Sequence, residues 1–192
     1  ERNLVKEASE AGDACVDKND ALMKVERGKV LGLFQMEALK TVDPEPSLAE
    51  MTGKALELLS NDKDGFFLMV EGSQIDWAGH ANNIDYNIRQ TLLFDLAVKE
   101  ALDFAQKHKD TLVIVTADHE CGGLMVTSGE MDGSQIETNW ASSGHTPVQV
   151  PLYAYGPGAL NFAGVYDNTD IPKQMAELWK VKNFPRILNP GE

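Results

Sequence analysis

Three short stretches carry side chains able to hold cations. The first runs Val70-Glu71-Gly72-Ser73-Gln74-Ile75-Asp76-Trp77-Ala78-Gly79-His80. Asp76 and His80 are four residues apart, so a helical turn there projects both from one face and lets them grip one ion. A carboxylate with an imidazole suits zinc. The same pair also reads as a helix cap followed by a surface histidine. The second stretch is Thr116-Ala117-Asp118-His119, two adjacent metal-competent side chains after an apolar run. A chain bending out of a strand lets such neighbours converge; a cap plus an exposed histidine is the other reading. The third is Gly144-His145-Thr146, which alone is a loop histidine. Three of the four histidines thus fall beside expected strand ends. His108, between Lys107 and Lys109, reads as a solvated residue or a helix C-terminal cation.

These stretches need elements to position them. Leu4, Val5, Ala8 and Ala11 are spaced as one helix face, closed by Gly12. Ala14, Cys15 and Val16 form a short strand candidate, and Asp20 caps a short helix over residues 21–27. Residues 30–34 read as a buried strand. Ser47 caps a helix running to about residue 60. Phe66, Phe67, Leu68, Met69 and Val70 are apolar on both faces, as a central parallel strand should be. A long helix follows over residues 84–108, then a strand at 112–115 and a shorter one at 124–126. Residues 128–144, rich in Gly, Ser, Asn and Asp, read as a loop excursion. A strand at 152–155 and a helix over 171–180 complete the pattern. Alternating strands and helices predict an α/β fold, a three-layer α/β/α sandwich with a largely parallel sheet, over residues 1–192 as a single domain or fragment. Ligands in such folds gather outside the carboxyl ends of the strands.

The 192 residues are 43% apolar, which excludes disorder of the whole chain and allows a sizeable core. With 17 basic and 30 acidic residues the net charge is −13. That argues against nucleic acid, whose phosphates attract Lys and Arg. No run approaches the roughly 20 apolar residues of a membrane span. Cys15 and Cys121 make neither a C-x-x-C nor a zinc-finger spacing and read as one disulfide, two buried thiols or neither; Cys121, close after Asp118 and His119, reads either as a neighbour of the cation-holding residues or, better, as a buried thiol. The chain opens at Glu1 within an expected helix, which suggests a processed or truncated chain.

Taken in order, V-E-G-S-Q-I-D-W-A-G-H, T-A-D-H-E, G-H-T-P-V and V-P-L-Y-A-Y-G-P resemble the C-terminal half of a bacterial-type alkaline phosphatase. The likeness extends from about Gly28 to Trp179. The resemblance implies two Zn2+ and one Mg2+ in one pocket. Asp76, His80 and His145 would hold the first zinc, Asp118 and His119 would supply two ligands of the second, and Glu71 would ligate magnesium. Trp77 would lie near the substrate without ligating. Thr146 would bond a ligand from behind. The family attacks a phosphomonoester with a serine, forms a phosphoseryl enzyme and releases inorganic phosphate by hydrolysis. The nucleophile, a bridging Asp and a phosphate-holding Arg belong to the family's N-terminal half and have no counterpart here, so the chain alone is expected to be inactive. The expected partners are that missing half and a second copy in a homodimer, and the expected location is periplasmic or extracellular. Two other readings stand beside this one: a non-catalytic zinc-binding or self-associating fragment, and a related metal-dependent phosphotransferase or sulfatase.

Overall fold

A computed structural model describes residues 2–40 and 44–185. The best-defined unit is helical. Helix α3 (Leu48–Leu59) starts at a capping box: Ser47 accepts from the Glu50 N–H, and the Glu50 carboxylate accepts from the Ser47 N–H. Helix α5 (Ile84–Lys107) starts at Asn83, whose side chain accepts from the Tyr86 N–H. At its other end the His108 ring stacks on Phe104 with centroids 4.1 Å apart, and the residue is exposed at the helix C-terminus, as expected. Helices α1 (Leu4–Glu10), α2 (Asn19–Met23), α4 (Gln74–His80) and α6 (Asp170–Leu178) complete the set described.

Helix α5 packs along α3 and α4 and touches strand β3 (Val113–Thr116). Leu56, Ala97 and Ala105 are buried. Lys54 is also buried, yet its ammonium donates to the Val25 carbonyl at 2.9 Å and to Glu57 at 2.9 Å. A buried charge paired and hydrogen-bonded in this way fastens α3 to the turn after α2.

The remaining strands are β1 (Ala14–Val16), β2 (Val30–Gly32), β4 (Glu120–Cys121), β5 (Leu124–Ser128), β6 (Glu137–Trp140), β7 (His145–Thr146) and β8 (Leu152–Tyr155). Among the described residues they form four two-stranded ladders. β1 and β2 are parallel, while β3–β8, β4–β7 and β5–β6 are antiparallel. The fold is mixed α/β as expected, but the parallel share is modest. The reason is local: after β3 the chain doubles back through the β5–β6 hairpin and returns along its own path as β7 and β8. Residues 128–144, expected as a loop, thus contain strand β6.

The largest departure concerns residues 66–70, expected as a central strand. They form no strand and join no ladder among the described residues. Phe66, Leu68 and Val70 are half-buried, with Phe66 edge-on to Phe104 of α5, while Phe67 and Met69 are 59% and 75% exposed. Among the described residues β3, too, has a strand neighbour on one edge only, β8. A compact monomer of this mass exposes about 9,000 Å²; this chain exposes 13948 Å². Much of its apolar surface is therefore uncovered.

Candidate metal centre

Helix α4 carries Asp76 and His80 one turn apart, so both side chains leave the same face. His145 reaches them from β7. Its arrival depends on stitching around Gly122: the Gly122 N–H donates to the Gly144 carbonyl, and the N–H groups of Ala141 and Ser142 donate to the Gly122 carbonyl. Gly122 has φ +85, and a Cβ there would sit 2.5 Å from the Trp140 ring. Only glycine fits that turn.

The three donors converge. His145 Nε2 lies 3.2 Å from Asp76 Oδ1 and 3.2 Å from His80 Nε2. His80 Nε2 lies 3.4 Å from Asp76 Oδ2. Ligands at 2.0–2.1 Å around a tetrahedral zinc are about 3.3 Å apart. The two contacts to Asp76 use different carboxylate oxygens, so the edges do not close on three single atoms, but their length and the Asp/His/His donor set fit zinc. The His80 tautomer is also set: its Nδ1 lies 2.6 Å from the Ser143 carbonyl, which can only accept. The proton therefore sits on Nδ1 and the Nε2 lone pair faces the centre.

A fourth donor comes from a residue that sequence reasoning assigned to packing. Cys121 lies within 4.8 Å of the ligand atoms of Asp76, His80 and His145. Its backbone is paired directly with His145 across the β4–β7 ladder. Partial burial pushes the Cys121 thiol up to about 11, and its hydrogen bond to Asp76 adds to the rise. The only signal in the sequence was the closeness of Cys121 to Asp118 and His119.

The other expected ligands are less tightly assembled. His119 stacks on His145 with ring centroids 3.5 Å apart, and its Nε2 is 3.2 Å from Asp118 Oδ2. The Asp118 side chain is 85% exposed. Glu71 is exposed at the end of the unpaired extended segment and lies outside the four-residue cluster. Trp77, on α4 beside Asp76, is 45% exposed. Thr146 pairs with Glu120 across β4–β7, and its hydroxyl holds the Glu120 carboxyl below the usual range, helped by the Gly123 N–H.

Gln74 is a second residue whose role was not foreseen. Its amide donates to the Leu39 carbonyl at 2.8 Å, and its carbonyl accepts from the Tyr86 hydroxyl at 2.6 Å and from Gln90 at 3.3 Å. It ties the first turn of α4 to α5 and to residues 35–40, so it orients the helix that carries Asp76 and His80.

Comparisons with known proteins place the chain in a family. The family model for alkaline phosphatase matches residues 1–132 and 126–181. Alkaline phosphatase 3 of Bacillus subtilis (strain 168) is 35% identical over 249 aligned positions, covering 91% of this chain and 54% of the relative. The alkaline phosphatase of Escherichia coli (strain K12) is 42% identical over 145 positions, covering 67% of this chain and 31% of that protein. The cold-active alkaline phosphatase from a psychrophilic Shewanella sp. superposes with a TM-score of 0.84 at 29% identity, covering 92% of this chain and 62% of its own. The enzyme from the Antarctic bacterium TAB5 superposes with 0.83 at 33% identity, covering 93% and 55%, and a mutant of it has been solved with Mg bound. The chain spans about half the length of the first of these curated relatives. The 249 aligned positions exceed the 192 residues of this chain, so that relative carries residues inside the aligned span that are missing here. On the family match along nearly its whole length, the chain belongs to the alkaline phosphatase family.

Proposed function

We propose that this chain supplies the metal ligands of a phosphomonoester hydrolase. The observation that carries the reading is the Asp76–His80–His145 triangle, with edges of 3.2 to 3.4 Å. In it Asp76, His80 and His145 hold the first zinc. Asp118 and His119 contribute to the second, and Glu71 to a magnesium. When bound, such cations act as Lewis acids and clamp the attacking and leaving oxygens of an in-line phosphoryl transfer. The chain's own residues do the positioning. Ser143 keeps the His80 proton on Nδ1, Gln74 sets the angle of α4, and the Gly122 turn delivers His145. The Trp77 indole lies beside the substrate, where it orients without supplying charge.

The nucleophilic serine is proposed to come from residues beyond these 192. The open segment 66–70 and the free edge of β3 are where that part of the protein docks, each adding ladder hydrogen bonds and covering Phe67 and Met69. A homodimer and a periplasmic or extracellular location belong to the same reading. Inorganic phosphate is the product.

The test is hydrolysis of p-nitrophenyl phosphate at alkaline pH with zinc and magnesium. The purified 192-residue chain is expected to be inactive alone and to gain turnover on mixing with the N-terminal half of a relative. Turnover by the chain alone would overturn the placement of the nucleophile. Failure of the mixture, with zinc bound, would favour a zinc-holding fragment without catalysis.

A further inference from the structure

We propose that Cys121 is a fourth, thiolate donor to the cation held by Asp76, His80 and His145. The inference rests on the zinc-site reading above and extends it. Three independent features bring the sulfur there. The β4–β7 register puts Cys121 opposite His145, so the two side chains leave the ladder on one face. Gly79, one residue before His80 and buried, leaves room: a Cβ at that position would meet Cys121 Cβ at 2.8 Å and Sγ at 2.9 Å. Finally, the sulfur and the other three ligand atoms all lie within 4.8 Å of one another. With a zinc–sulfur bond of 2.3 Å, sulfur and nitrogen ligands sit about 3.6 Å apart, so a shift of about 1 Å closes the fourth corner.

Coordination replaces the S–H bond by a metal–sulfur bond and releases one proton to solvent. The chemical consequence is a softer site. A set of Cys, Asp and two His favours zinc, cobalt or cadmium over magnesium or manganese. Four protein donors also fill a tetrahedron. A phosphate oxygen then reaches this ion only by displacing the thiolate or by entering as a fifth ligand. Cys121 thereby sets how open the first zinc site is.

The experiment is titration of the metal-free purified protein with Co2+, followed by optical absorption, in a Cys15→Ser background. Cys15 is the other free cysteine and is exposed. The expected result is one tightly bound cobalt with visible ligand-field bands and a near-ultraviolet sulfur-to-cobalt charge-transfer band. Cys121→Ser, nearly isosteric and still able to bond Asp76, should lose only the ultraviolet band and weaken zinc by about tenfold or more. Cobalt bound with visible bands but no charge-transfer band in the parent would overturn the proposal and leave Cys121 as a support for Asp76. Absence of any cobalt signal would instead count against the Asp76–His80–His145 site itself.

Discussion

The two expected zinc sites are built to very different standards. At the first, every ligand is held by neighbours within the chain: α4 sets Asp76 and His80, the Ser143 carbonyl fixes the His80 ring, and the Gly122 stitching delivers His145. At the second, Asp118 is 85% exposed, and the neighbouring magnesium candidate Glu71 follows residues 66–70, which join no ladder among the described residues. The difference teaches that a ligand is preorganised only as far as its supporting elements are present. His119 joins the two regimes, since its ring is stacked on His145.

The strongest way to break the comparison is to remove one ligand from each side. His145→Ala should cost tight zinc binding more than the about 100-fold that even a supporting residue can be worth. Asp118→Ala should change tight zinc by less than about tenfold. Calorimetric titration of both variants checks this. Equal losses would show that the two sites form as one unit.

Next comes the packing behind the first site. Gly79→Ala drives a methyl into Cys121 Cβ, Sγ and the Cys121 carbonyl, the last at 3.0 Å. Overpacking of this kind costs about 1–3 kcal/mol. Backbone atoms cannot swing aside, so the denaturation midpoint should fall and zinc affinity with it. A matching Cys121→Ala change should recover part of the stability, because it removes Sγ, one of the three clashing atoms.

The open region can be tested by its stickiness. Phe67 and Met69 present apolar side chains on an unpaired extended segment, a surface prone to associate. Phe67→Lys should weaken self-association of the chain by about tenfold, in line with the about 1.5–3 kcal/mol of burying a Phe. Sedimentation velocity across a concentration series reads this. The first zinc site should be unaffected.

How much of this was legible beforehand follows the same divide. Helices α3 and α5 could be read because their signals are local: Ser47 with Glu50, Asn83 with Tyr86, and a periodic apolar face. That Asp76, His80 and His145 come together was legible for a related reason, since each lies beside a turn or strand end. Cys121 was missed as a donor because its partnership with His145 is a register between strands 24 residues apart, set by the Gly122 turn. Strand β6 was hidden by its polar composition, although Trp140 covers Gly122. Residues 66–70 read as a central strand but form none among the described residues, because a run apolar on both faces says only that it expects neighbours, not which chain segment provides them.

The smallest expected effect sharpens the contrast from the self-contained side. The Glu50 carboxyl is held below its ordinary value, first by the Ser47 N–H, then by the Ser47 hydroxyl and the Asn19 amide. A depressed folded-state value means the carboxylate stabilises the native state fully above the ordinary value of 4.5 and loses that contribution as pH falls through the folded one. Glu50→Gln cannot titrate, so the difference in stability between parent and variant should shrink as the pH drops below 4.5. Ser47→Ala should cost about 1 kcal/mol at neutral pH, the usual worth of such a cap. It should also flatten part of the acid dependence, because the hydroxyl is one of the groups that hold the carboxylate charged. Chemical denaturation at several pH values measures both. A difference that stayed constant with pH would show that the box acts through shape alone. Because the capping box sits at the start of α3, which packs on α5, neither change should alter self-association, whereas Phe67→Lys should alter self-association and leave this acid profile unchanged.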